Sequence, residues 1–86
     1  MSTISDIIQE REPVHGEYAT TSAAAQALKS TIRQVGDFNV NLTSQQRESL
    51  EMIATKIARI ISGDSNHVDH WQDIIGYATL AMPKRA

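Results

Sequence analysis

Glu48 and Glu51 stand three residues apart, and so do His70 and Asp73. On two facing helices each pair would project from one face, the way helical bundles offer carboxylates to magnesium for pyrophosphate chemistry. His70 departs from that pattern, because magnesium prefers oxygen ligands. His67, His70 and Asp73 raise a second possibility, a histidine-based metal site. Helical projection weakens it, since His67 turns toward the apolar side of its helix and Asp73 turns away. The chain contains no cysteine, which removes thiolate ligands, disulfides and thiol nucleophiles. It also has neither a nucleophile elbow nor a glycine-rich phosphate loop. The expectation is therefore no catalytic residue and no metal. Glu48, Glu51 and Asp73 with magnesium stand as the alternative.

A different constellation points to binding. Lys56 and Arg59 lie three apart, off the apolar stripe of their predicted helix. The following helix gathers Asp69, His70, Asp73, Gly76, Tyr77 and Leu80 on one side, where a mix of lysine and glutamate would be the ordinary filling. Gly76 in a helix interior costs about 0.5–1 kcal/mol relative to alanine, which close approach of another backbone or a ligand would offset. Lys56 and Arg59 either form ion pairs with Asp69 or Asp73, or receive a phosphate or carboxylate, Arg59 bidentately and Lys56 as a point charge. The expected ligand-binding set is Lys56, Arg59, Asp69, Asp73, Gly76 and Tyr77. The alternative for that polar side is packing on the first or second helix.

These residues need a scaffold, and 86 residues give one small domain, 1–86. Apolar residues make up 41% and charged residues 21%, values of a folded chain. Only four aromatics are present, Tyr18, Phe38, Trp71 and Tyr77, so the core is thin and self-association is expected. Eight basic residues against ten acidic give a net charge of −2, which disfavours a protein that coats nucleic acid. No run of apolar residues is long enough for a signal sequence or a membrane span.

The periodicity is helical throughout. Ser2 or Thr3 caps a first segment in which Ile4, Ile7 and Ile8 share a face. Pro13 and Gly16 end it, with 12–18 as a loop. A second helix runs over about 20–35 on the stripe Ala24, Leu28, Thr31 and Val35, and Gly36 supplies a positive φ after it. Phe38 plugs the core from the connection. Thr43 and Gln46 form a capping box for a third helix over 44–62, stopped by Gly63. Leu50, Ile53, Ile57, Ile60 and Ile61 are its core stripe. The turn 64–66 caps a fourth helix over 67–82, whose core side carries Val68, Trp71, Ile75, Ala78 and Met82. The fold class is all-α, three to four helices around a central antiparallel hairpin of 44–62 and 67–82.

Two resemblances bear on function. The Glu-x-x-Glu element followed by an x-x-Asp element looks like the all-α nucleotide pyrophosphohydrolases, with His70 standing where that family has a third acid. More specifically, Lys56-Ile-Ala-Arg59-Ile and the segment Asp69-His-Trp71-Gln-Asp73-Ile-Ile-Gly76-Tyr77-Ala-Thr-Leu-Ala81 resemble a family of small proteins of unknown function from tailed phages and prophages. Its pattern is Lys-x-x-Arg-Ile, a short Gly/Asp turn, then Asp-x-Trp-x-Asp-Ile-x-Gly-Tyr-x-x-Leu-Ala. His15-Gly16-Glu17-Tyr18 is similar to its shorter upstream element. The resemblance implies a helical fold, a phage origin and a shared role for Lys56, Arg59, Asp69, Trp71, Asp73, Gly76 and Tyr77. The resulting expectation is a non-catalytic phage accessory protein in the cytoplasm of an infected bacterial host. It would counter host defence by binding a nucleotide messenger or a host defence protein, and it would work as a homo-oligomer.

Overall fold

The computed structural model describes residues 3–84, and in them the chain is all-α. Four helices follow one another: α1 (Ile4–His15), α2 (Tyr18–Gln34), α3 (Ser44–Ser62) and α4 (Val68–Ala81). Among the described residues no helix is long and apolar enough to cross a membrane.

Two helices begin with capping boxes, α3 at the expected Thr43–Gln46 and α1 at Thr3, one of its two expected caps. The Thr3 hydroxyl accepts from the Asp6 amide while the Asp6 carboxylate accepts from the Thr3 amide. Thr43 and Gln46 do the same for α3, whose limits match the predicted ones. Ser2, the other expected cap, lies outside the described residues.

Three boundaries differ. Pro13 sits inside α1 rather than ending it. One turn from the terminus it forfeits a single hydrogen bond, and Gly16, at φ 85°, ends the helix by donating its amide to the Glu12 carbonyl at 2.7 Å. The loop expected over 12–18 shrinks to Gly16 and Glu17. The turn after α3 does not cap α4. The Asp64 carboxylate accepts from the Asn66 amide two residues on, and His67 holds the cap position without a side-chain bond.

α3 is the central element. α2 and α4 pack on opposite flanks of it and not on each other, and α1 lies across α2 and α3. The α2 flank is a small-residue seam, with Ala54 and Ala58 buried on the same side of α3 as Glu51, which pairs with Arg33 of α2. Phe38 is buried as expected, and Ile60 is the large core residue of α3.

The α4 flank overturns the expected facing. His70 is buried and Ile74, Tyr77 and Ala81 are half-buried along one stripe that packs on α3, not on α1 or α2, so His70 and Tyr77 of the side expected to be polar join the packing while Asp69, Asp73, Gly76 and Leu80 stay exposed. Trp71, expected in the core, is 51% exposed, and Val68, Ile75 and Met82 are exposed beside it. The rotation is fixed by satisfied polar groups: Asp73 reaches the buried Lys56 at 2.9 Å, and the Trp71 indole N–H donates to the Ser65 carbonyl at 2.9 Å. A correction applies to α3 as well. Ile60 is buried and Ile53 half-buried, whereas Leu50, Ile57 and Ile61 are exposed.

Candidate functional site

The C-terminal end of α1 is pinned where α3 turns into α4. The Asp64 amide donates to the Val14 carbonyl at 2.9 Å, and the Thr21 hydroxyl donates to the His15 carbonyl at 3.1 Å. Backbones approach closely there because two glycines allow it. A Cβ on Gly63 would collide with the Val14 carbonyl, and one on Gly16 would press on Ser62.

Pinning α1 creates two features. The first is a histidine cluster. His15 Nδ1 and His70 Nε2 are 3.1 Å apart, and His67 completes a triangle of ring centroids 4.8 to 5.8 Å apart. Burial, followed by the neighbouring Arg11, holds the His15 pKa below its ordinary value. Burial and then His67 and Lys56 do the same for His70, with the Val14 carbonyl pulling the other way. Among the described residues no group of three histidine or acidic side chains has the arrangement to hold a metal ion.

The second feature is a cleft of about 440 Å³ between α1, α2 and α3. Arg11 from α1, Lys29 from α2 and Arg59 from α3 line it, with Glu12 as the one carboxylate and Tyr18 offering an aromatic ring. Among the described residues none of the three cations has a hydrogen-bonded or ion-paired carboxylate partner, unlike Arg33 and Lys56. In a chain of net charge −2 this concentrates unpaired positive charge at one place. α2 also starts at this cleft with Glu17 as its cap and no side-chain cap bond, leaving first-turn amides there without a side-chain acceptor.

The sequence-predicted site residues divide accordingly. Arg59 lines the cleft. Lys56, buried, is tied to Asp73, whose carboxyl is held below its usual range chiefly by the hydrogen bond from Lys56. This is the ion-pair alternative for Lys56, realised between α3 and α4. Asp69 is exposed, its carboxylate 3.7 Å from His67 Nε2. Asp73, Gly76 and Tyr77 border a shallow depression with Gln72 and Leu80 on the outside of α4. Nothing approaches Gly76, so the close contact expected there is not made within the chain. The magnesium set does not converge: Glu51 faces Arg33 on α2, Asp73 faces Lys56, and Glu48 is exposed. These residues do not fit a magnesium centre.

Arg11, Lys29 and Tyr18 were outside the predicted site. Tyr18 had a signal in the His15–Tyr18 element, whereas Arg11 and Lys29 meet Arg59 only through the fold.

The structure thus defines a small all-α protein, three helices side by side with a fourth closing a cationic cleft over them. Residues 1–84 match the family described as a domain of unknown function, DUF6378, and the chain belongs to that family. No curated protein and no solved structure matches it.

Proposed function

We propose that the chain is a non-catalytic binding module for a small polyanion of the nucleotide type, held in the cleft between α1, α2 and α3. The observation that carries this is the convergence of Arg11, Lys29 and Arg59, each from a different helix and each without a carboxylate partner, on one cavity. Two guanidinium groups receive phosphate oxygens bidentately, the lysine adds a point charge, and the Tyr18 ring supplies a stacking surface for a base. The volume suits one small ligand. The reading extends to a cytoplasmic phage accessory protein that sequesters a host nucleotide signal in this cleft, and to a homo-oligomer, because among the described residues only five apolar side chains are buried.

Titration calorimetry with ATP, GTP and inorganic triphosphate tests it, on the wild type and on Arg11→Gln, Lys29→Gln and Arg59→Gln. Each substitution is expected to weaken binding about 10- to 150-fold, since one hydrogen-bonded charge contributes roughly 1.5–3 kcal/mol. Equal affinities across the variants, or no binding at millimolar ligand, contradict the proposal. Phosphate release that requires magnesium and disappears in folded Glu51→Ala and Asp73→Ala variants would replace it with the pyrophosphohydrolase reading.

A further inference from the structure

Each of the three longer helices carries an apolar stripe, and the chain covers none of these stripes fully. The side of α3 that bears Leu50, Ile57 and Ile61 lies between its α2 and α4 flanks, opposite the side where Thr55 and Arg59 meet α1 and the cleft. At about 100° per residue the same construction places the other helices. The Lys56–Asp73 pair marks the cleft side of the α3–α4 seam, so Trp71, Ala78 and Met82 emerge on the other side, beside Leu50, Ile57 and Ile61. On α2, Ser22 and Lys29 line the cleft, so Leu28, half-buried, is turned away from it toward that same other side. The three helices therefore form a layer, with α1 on one face and an uncovered face lined by Leu50, Ile57, Ile61, Trp71, Ile75 and Met82.

The geometry points to a second copy of this chain as the occupant of that face. Three observations choose it. First, the stripe positions 50, 53, 57 and 61 of α3 and 68, 71, 75, 78 and 82 of α4 hold no charged residue, so the face is complementary to itself, as an interface across a twofold axis requires. Second, the chain exposes 6362 Å², whereas a compact monomer of 9.5 kDa exposes roughly 5,000 Å². The surplus exceeds the ~800 Å² that each partner contributes to a stable interface. Third, the buried apolar residues are Ala25, Phe38, Ala54, Ala58 and Ile60, of which only two are large. A core that small needs a partner that is always present, and the chain itself is that partner. The inference rests on the homo-oligomer part of the proposed function and names its surface. It does not depend on the anion cleft, which lies on the opposite face of the layer.

Sedimentation velocity at micromolar concentration is the test, on the wild type, on Ile61→Lys and Ile75→Lys, and on Ile7→Lys in α1 as a control. The wild type and the control are expected to sediment at about twice 9.5 kDa, and both face variants to lose that species. A monomeric wild type overturns the proposal, and so does a dimer dissociated by Ile7→Lys but not by the face variants. Should a face variant fail to fold, single cysteines read the same surface, because the chain has none of its own. Ile57→Cys is expected to cross-link with a short bismaleimide and Ile7→Cys is not, and the reverse pattern contradicts the assignment. ATP binding measured alongside reports on the cleft independently.

Discussion

His15 Nδ1 and His70 Nε2 meet at 3.1 Å, joining the last residue of α1 to the first turn of α4 across 55 positions of sequence. One nitrogen must carry a hydrogen and the other must not, so the contact survives only while at least one ring is neutral. Burial already holds both pKa values below 6.5. In the window between those lowered values and 6.5 the unfolded chain binds more protons than the folded one, so stability falls as pH drops through it. Thermal melts are expected to move to lower temperature below about pH 6.5, and the shift to shrink in a His70→Gln variant, whose amide does not titrate. A melting temperature unchanged down to about pH 5 in the wild type would count against the lowered pKa values of His15 and His70.

At Gly63, just after α3, the backbone of α1 comes within Cβ-clash distance, and the residue has no positive φ to explain it. The requirement is steric, since a Cβ would strike the Val14 carbonyl that accepts from the Asp64 amide. Gly63→Ala is expected to cost about 1–3 kcal/mol in chemical denaturation, the range for forced overpacking, and to weaken ligand binding by displacing α1. Wild-type stability in this variant would show that α1 is not pinned there.

Gly76 gives the opposite expectation. Its Cβ would meet open space on an exposed helix face. Gly76→Ala should raise stability by about 0.5–1 kcal/mol through helix propensity alone. A destabilised Gly76→Ala protein would show that something outside the chain seats against this face.

Lys56 and Asp73 are unequal partners, one buried and the other half-exposed. Removing the carboxylate by Asp73→Asn leaves a buried ammonium without its counter-charge, whereas Lys56→Met keeps the buried stem and leaves a carboxylate that water can reach. Asp73→Asn is expected to lower the melting temperature more than Lys56→Met does. The reverse order in paired thermal scans would contradict this. The contribution of Asp73 is present above its ordinary pKa of 3.8 and is lost as pH falls through its lowered value.

Thr3 as one of two cap candidates, the capping box at Thr43 and the stop at Gly63 were legible because each is a local rule written within four residues. The facing of α4 was not. A stripe such as Val68, Trp71, Ile75 and Met82 states which side avoids water, but not whether the same chain covers it. The Lys56–Asp73 tie and the buried His70 turn another side of the helix onto α3, leaving that stripe exposed. Of the cleft, Arg59 was legible beside Lys56, whereas Tyr18 stood in a short upstream element with no site role read from it. Arg11 and Lys29 carry no local pattern, and only the crossing of α1 over α2 and α3 brings them together with Arg59.

Amide NMR spectra recorded while ATP is added test the central claim most directly, because they report the ligand's place residue by residue. The account predicts shifts concentrated at Arg11–Ser22, Lys29, Thr55 and Arg59, around the cleft. Shifts confined to Gln72–Leu80, or none at millimolar ATP, would contradict it.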